Sequence, residues 1–447
     1  MHCPSKGNER RKRMETVYVG ISSDILHEGI LNVIEKASEL GEVTVGILSD
    51  EVVAAYKRVP LLDFKARKRV YENVKGVSRV VEQATLSYRE NLLALRPDYV
   101  VHGDDWRSGA QSAVRQEVID TLAEWGGELV EVPYTKGISA SSLESDLKAF
   151  YGSPDSRRGS LRKLLKLKPC LRVIEASNGL SGLIVESASV VDEETGAVRS
   201  FDGMWVSSLC DSSFKGKPDI ELVDFTSRVN TIEEIMEVTT KPVILDGDTG
   251  GKTEHFVHNV KTLERIGVSA VIIEDKTGLK QNSLFGTDVP QVQDDPVAFA
   301  EKIAAGKKAQ RTRDFMIFAR IESLIAKAGM EDALERARVY LERGGADGIM
   351  IHSKEKDGSE ILEFLRRFRA EWPEVPVILV PTSYNQFTED ELSEAGANIV
   401  IHANHLLRAA YLAMKDVSEC ILEHGRSKEA DELCLPIKEV LTLIPKE

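Results

Sequence analysis

From Thr16 onward, short apolar runs alternate with stretches in which apolar residues recur at three-to-four spacing. In the first third, VYVGIS (17–22), VTVGILSD (43–50), DYVVHGDD (98–105) and ELVEVPY (128–134) read as strands, and ILHEGILNVIEKASEL (25–40) reads as a helix. Such alternation predicts a parallel sheet with helices on both faces. The polar stretch SPDSRRGS (153–160) interrupts the pattern and is the expected linker, within 151–164. Beyond it come eight apolar runs: LRVIEAS (171–177), GMWVSS (203–208), PVILDGD (242–248), AVIIED (270–275), FMIFARIES (315–323), DGIMIHS (347–353), PVILVPTS (376–383) and NIVIHAN (398–404). Segments of helical period, such as MEDALERARVYLERGGA (330–346), separate them. Eight β/α units predict a (β/α)8 TIM-type barrel, with an open doubly wound sheet as the alternative. The chain is thereby divided into a basic tail (1–14), an α/β Rossmann-like domain (15–150), the linker (151–164) and a barrel with C-terminal helices (165–447).

Composition changes this picture little. A chain of 447 residues is too long for one small core, and 42% hydrophobic with 29% charged residues suits a soluble globular protein. No apolar run is long enough to span a bilayer, and the basic opening MHCPSKGNERRKR (1–13) is followed by no apolar stretch, so it reads as a flexible tail rather than a secretory signal. The five cysteines, Cys3, Cys170, Cys210, Cys420 and Cys434, include no CxxC pair. An odd number without such pairs speaks against a disulfide framework and structural zinc, and for a reducing cytoplasm. A net charge of -14 argues against general nucleic-acid binding but leaves room for a small anionic substrate in a locally positive site.

In a barrel of this kind the chemistry sits at the C-terminal ends of the strands. The second run ends at Ser207 and Ser208, the third at Asp246 and Asp248, and the fourth at Glu274, Asp275 and Lys276. The fifth carries Arg320 and Glu322, and the last three end at His352 and Ser353, Thr382 and Ser383, and Asn404. Asp246, Asp248 and Glu274 would lie close together; carboxylates so placed repel unless a hard divalent cation such as Mg2+, or a network of Lys and Arg, neutralises them. Arg320 and His352 would add positive charge across the mouth, and a metal with an arginine describes a site for a phosphorylated anion. The segment 276–295 is long for a connection at a barrel mouth and is a candidate lid carrying Lys280, Asn282 and Ser283.

EDKTGLKQNS (274–283) fits the EDKxxxKxNS signature of phosphoenolpyruvate mutases in the isocitrate lyase/mutase superfamily, and the chain resembles that family over about residues 165–420. DGDTGG (246–251) is similar to the family's metal-binding turn, GMWVSSL (203–209) to its substrate-carboxylate loop, and ARIE (319–322) and MIHSK (350–354) also fit. The resemblance implies an isomerase that interconverts phosphoenolpyruvate and 3-phosphonopyruvate in phosphonate biosynthesis, with Mg2+ as cofactor. It implies Asp246 as the direct Mg2+ ligand, with Asp219, Asp248 and Glu274 holding the metal's waters. Ser207, Ser208 and Leu209 would bind the substrate carboxylate and Trp205 would pack against the substrate. Arg320 and His352 would hold the phosphoryl group, and Lys280, Asn282 and Ser283 would close with the lid. Phosphonopyruvate hydrolase shares the barrel and most of the acids; in the family the Asn of KxNS marks the mutase, and Asn282 is present. Isocitrate lyases carry a reactive Cys in this loop, whereas no Cys lies between Cys210 and Cys420. Superfamily barrels usually associate, so a homo-oligomer is expected.

The first domain resembles cytidylyltransferases of the glycerol-3-phosphate type through SSDILHEGI (22–30), HGDDW (102–106) and GISASS (137–142). The resemblance implies a Rossmann-like nucleotidyltransferase fold with CTP as its substrate. The candidate nucleotide-binding residues are Ser23, Asp24, His27, Gly29, Lys57, Arg67, Gly103, Asp104, Ser139 and Ser141. The HxGH start has become His27-Glu28-Gly29-Ile30, which removes the second imidazole and adds a negative charge where a triphosphate would sit. Weak or no transferase activity is therefore expected, with an active bifunctional mutase–phosphonate cytidylyltransferase as the alternative. Some proteins of that architecture cytidylylate a later phosphonate such as 2-hydroxyethylphosphonate.

Overall fold

A computed structural model of the chain describes residues 14–22, 25–56, 60–107, 112–133, 149–191, 198–277, 280, 282–283 and 292–444. The basic segment 1–13, expected to be a flexible tail, lies outside them. The chain forms two compact units, one of Met1–Ala149 with Ser189–Arg199 and one of Phe150–Ala188 with Ser200–Glu447.

The first unit holds a parallel five-stranded sheet of β1 (Thr16–Ile21), β2 (Glu42–Leu48), β3 (Val77–Gln83), β4 (Tyr99–Gly103) and β5 (Glu128–Val132), in the order β3-β2-β1-β4-β5. This is the expected doubly wound pattern. Its order reverses between β1 and β4, which is where such sheets open a crevice for ligands. Val17, Val19, Val43, Val45 and Ile47 pack with Ile34 and Ala37 of the helix Glu28–Leu40. The sequence reading missed β3. It is an edge strand, and its exposed Arg79 and Glu82 break the apolar run by which the other strands are read.

The second unit contains a closed barrel of eight parallel strands: β6 (Leu171–Glu175), β9 (Gly203–Val206), β10 (Val243–Asp246), β11 (Ala270–Glu274), β12 (Met316–Ile321), β13 (Gly348–Ile351), β14 (Val377–Leu379) and β15 (Ile399–His402). These are the eight apolar runs of the sequence. They read as continuous hydrophobic stretches because helices cover the outside and side chains fill the inside. A short pair, β7 (Ser189–Val191) and β8 (Val198–Ser200), precedes β9 in the chain and, but for Ser200, is counted with the first unit.

The expected linker at 151–164 is not one. Residues Pro154–Leu167 form a helix that buries Arg157, Arg158, Leu161 and Leu164. Ser153 caps it by accepting from the Ser156 N–H, Pro154 opens it, and Asp155 sits in its first turn. The Ser-Pro-Asp that suggested a turn is thus a helix start. Arg157 donates to the carbonyls of Met236 (3.1 Å) and Thr239 (2.8 Å), and Arg158 to that of Glu264 (3.0 Å). These carbonyls lie at or just beyond the C-terminal ends of two barrel helices, so the segment closes the floor of the barrel, opposite the mouth. Gly267 (φ 96°) permits this, because a Cβ there would lie 2.6 Å from the Cα of Pro154.

Candidate active site

The register of the barrel brings the acids together. Asp246 ends β10 and Glu274 ends β11, with Asp246 opposite Ile272 and Glu274 opposite Arg320 of β12. After β10 the chain turns sharply through DGDTGG. Gly247 has no room for a side chain, since a Cβ would stand 2.7 Å from Val271 and 2.9 Å from the Ile272 carbonyl. Asp248 adopts a left-handed backbone (φ 53°), which aspartate tolerates better than most residues. The turn is fastened to β11 by the Gly247 N–H on the Ile272 carbonyl (2.7 Å) and the Glu274 N–H on the Asp248 carbonyl (2.8 Å).

Lys280 from the loop after β11 reaches into this group. Its Nζ lies 2.5 Å from Asp248 Oδ1, 3.4 Å from Asp219 Oδ1 and 3.8 Å from Asp246 Oδ2, and it also donates to Ser208 Oγ. Asp246 accepts from the backbone and hydroxyl of Ser208 (3.3 and 2.9 Å) and from the Asp248 N–H (3.2 Å). Burial alone would raise the Asp246 carboxyl, but Lys280, Arg320 and Arg228 outweigh it and hold it below the usual carboxylate range. Glu274 is the opposite case. Burial pushes it up to about 7 despite Arg320 and Lys280, and neither of its oxygens accepts a hydrogen bond from the described residues.

The other side of the mouth is built around Arg320. Its Nε donates to Glu322 Oε1 (2.5 Å) and its Nη2 to Ser283 Oγ (2.7 Å). Ser283 donates to Glu322 Oε2 (2.7 Å) and accepts from Lys276 Nζ (2.8 Å). Asn282 Nδ2 donates to Asp219 Oδ2 (2.7 Å). The loop residues Lys280 and Ser283 are each only 3% exposed, so this part of the candidate lid lies down on the site. His352 is buried, and burial with the nearby Arg320 pushes its imidazole down to about 4. It is therefore neutral near pH 7, which corrects the expectation that it adds positive charge; Arg320 and Lys280 carry the charge.

A cavity of about 500 Å3, open mouth included, is lined by Trp205, Ser207, Ser208, Leu209, Asp219, Asp246, Lys280, Asn282, Ser283, Arg320 and His352. Every barrel residue expected to bind substrate or take part in catalysis faces this one space. Asp248 and Glu274 do not line it: Asp248 stands behind Lys280, and Glu274 lies buried beside Arg320, 3.4 Å away. Sequence reasoning gave Lys276, Glu322, Thr382 and Asn404 no role of their own, and it missed Asp211 and Arg228 altogether. Arg228 lies in the helix Phe225–Met236, where periodicity predicts only an inward position.

Among the described residues no three acids or imidazoles close into a metal cage. A magnesium site retains several waters and needs carboxylates ranged around the ion rather than touching it. Three aspartates around one ammonium, with a buried Glu274 whose oxygens accept no hydrogen bond from the described residues, match that requirement.

In the first unit, His27 immediately precedes the helix Glu28–Leu40 in an extended conformation, with Gly29 beside its ring. His27 follows β1, Gly103 ends β4 and Asp104 comes next, so they flank the crevice where strand order reverses. Ile30 packs on the hydrophobic core, and Glu28 is exposed. Ser23, Asp24, Lys57, Ser139 and Ser141 lie outside the described residues. Arg67 does not take the phosphate-facing position expected of it. It is 1% exposed and holds the Leu48 carbonyl (2.8 Å), the Leu62 carbonyl (3.2 Å) and Asp50 (2.6 Å), tying its helix to the end of β2. Trp106 of the GDDW run is likewise a core residue, stacked on His102 (3.7 Å) and bonded to Glu131 (3.0 Å).

Residues 18–143 match the cytidylyltransferase-like family and residues 161–422 the phosphoenolpyruvate phosphomutase family. The phosphoenolpyruvate phosphomutase of Tetrahymena pyriformis is 37% identical over 67% of this chain and 95% of its own length. The crystal structure of phosphoenolpyruvate phosphomutase from Streptomyces platensis subsp. rosaceus superposes with a TM-score of 0.57 at 35% identity, covering 63% of this chain and 93% of that one. A phosphonopyruvate hydrolase in complex with oxalate and Mg++ superposes at 0.56 with 32% identity, over 65% and 94%. With a barrel whose mouth gathers the EDKxxxKxNS residues over an acid cluster, and a match across more than half its length, the chain belongs to the phosphoenolpyruvate phosphomutase family.

Proposed function

We propose that the barrel is an isomerase that interconverts phosphoenolpyruvate and 3-phosphonopyruvate. The observation that carries this reading is the placement of Asn282 and Ser283 in one cavity with Trp205, Arg320 and His352. In the reaction an O–P bond breaks and a C–P bond forms within one molecule, and no proton is gained or lost. The phosphoryl group leaves as a metaphosphate-like species beside an enolate, so positioning and charge stabilisation are the main demands. Asp246, with Asp219, Asp248 and Glu274 around it, would hold Mg2+, which when bound stabilises negative charge on the enolate.

The chain's own groups do the rest. Ser207, Ser208 and Leu209 bind the substrate carboxylate, and Trp205 packs against the carbon skeleton. Arg320 holds phosphoryl oxygens with its charge, and His352 does so as a neutral imidazole. Asn282 adds a fixed amide from above, while Lys280 and Ser283 keep the loop down and water out. Asn282 also favours mutase over phosphonopyruvate hydrolase, because a neutral amide over the phosphoryl group cannot activate water as a base. The test is 31P NMR of the full-length protein with Mg2+ and phosphonopyruvate. Phosphoenolpyruvate is the expected product; inorganic phosphate alone would identify a hydrolase.

The first unit is read as a nucleotide-binding domain with weak or no CTP-dependent transferase activity. The mutase unit is read as a homo-oligomer in the cytoplasm. The support for assembly is the helix His405–His424, which buries no residue and exposes Tyr411, Leu412, Met414 and Leu422.

A further inference from the structure

Behind the acid cluster lies a buried ion network centred on Arg228, a residue to which none of these roles has been given. Arg228 is only 5% exposed, on a helix face otherwise built from Thr231, Ile232 and Ile235. A charge in such a stripe is costly to desolvate unless its partners are charged as well. Its Nη1 donates to Asp248 Oδ2 at 2.7 Å and its Nη2 to the Val206 carbonyl at 3.3 Å. Its Nε stands 3.6 Å from Asp211 Oδ2. Asp211 is fixed in turn by Thr231 Oγ1 (2.9 Å) and Lys215.

One guanidinium thus ties together the turn after β10, the end of β9 and the short helix that follows the substrate loop. The consequence falls on Asp248. A carboxylate free to turn about its last bond presents either oxygen; with Oδ2 held by Arg228, Oδ1 is the one left for the acid cluster, where Lys280 meets it at 2.5 Å. We infer that Arg228 is a positioning residue for the cation site: by holding Asp248 Oδ2 it keeps Asp248 Oδ1 turned toward the acids that would hold the ion. The inference rests on the Mg2+-dependent reading above.

The test is direct binding of Mn2+ to the full-length protein, followed by electron paramagnetic resonance. Arg228→Met should weaken binding about 10- to 100-fold, the range found when groups that orient a ligand are removed. Arg228→Lys should recover part of the loss, and at saturating Mg2+ both variants should regain most of kcat while the apparent KM for Mg2+ stays raised. In an Asp248→Asn background, Arg228→Met should cost less than about twofold more, because the residue acts through that carboxylate. Unchanged Mn2+ affinity in Arg228→Met, or an equal loss in the Asp248→Asn background, would overturn the inference. Failure of both Arg228 variants to fold would also count against it, since Arg228 would then be holding up the fold. Absence of Mn2+ binding by the unaltered protein would sink the Mg2+-dependent reading itself, and this inference with it.

Discussion

The ammonium of Lys280 stands 2.5 Å from Oδ1 of Asp248, buried among the carboxylates that would surround a metal. Lysine and divalent cation therefore answer the same excess of negative charge. Lys280→Met should remove the cation nearest the three aspartates and leave their compensation in metal-free protein to Arg228 and Arg320. Breaking a buried pair by removing one partner costs about 3–5 kcal/mol. The melting temperature without metal should fall, and added Mg2+ should raise it by more than in the unaltered protein. Equal loss with and without saturating Mg2+ would show that the two cations do not share the site.

Asp246→Ala should abolish turnover. Asp246 is the acid that accepts from Ser208 and from the Asp248 N–H, so its orientation is set before any ion arrives. Chelation by EDTA should stop the unaltered enzyme in the same way, with activity returning on addition of Mg2+. Full activity in EDTA would remove the metal from the mechanism.

Asn282→Ala should lower kcat about 100- to 1000-fold, the usual cost of one preorganised donor to developing charge. Its contact with Asp219 is a loop contact rather than a core one, so the fold should persist. A near-normal rate would reduce the loop to a passive cover.

His352 supplies a pH signature. Its folded-state value of about 4 lies below the ordinary 6.5, so the folded protein resists protonation that the unfolded chain accepts. Stability from this residue is complete above about pH 6.5 and is lost as pH falls towards about 4. The loss is on the order of 3 kcal/mol, since each tenfold change in proton affinity is worth about 1.4 kcal/mol. His352→Asn should flatten that part of the acid limb in thermal unfolding between about pH 7 and pH 4.5, the window set by those two values; an unchanged slope would assign the limb to other groups.

In the first unit, CTP with 2-hydroxyethylphosphonate or 2-aminoethylphosphonate should give little pyrophosphate. Ile30→His should raise release if one missing imidazole silences an otherwise complete site, at some cost in stability because Ile30 packs on the core. Rapid release by the unaltered protein would make the chain bifunctional.

The sequence showed the barrel clearly because each strand is buried on both faces and so appears as an apolar run closed by polar residues. It showed the mouth for the same reason: strand ends fix where Asp246, Glu274, Arg320 and His352 must point. What it hid depended on contacts distant in the chain. Arg228 and Asp248 are 20 residues apart, and no spacing rule pairs a helix interior with a turn. Arg67 was misread because a basic residue in a helix looks alike whether it faces a phosphate or plugs a carbonyl. His352 looked cationic because its charge is decided by burial, which a one-dimensional reading does not register. Ser-Pro-Asp at 153–155 serves turns and helix starts equally, and only the packing of Arg157 and Arg158 decides between them.

That last helix determines where the chain can be cut. A mutase fragment begun at residue 165 would keep all eight strands and every residue of the mouth, yet it would lose Arg157 and Arg158. The carbonyls of Met236, Thr239 and Glu264 would then lose these guanidinium donors, and Gly267 would lose its contact with Pro154. A fragment that keeps these contacts must begin upstream of Ser153, and what reads as a linker in the sequence behaves as the keel of the catalytic half.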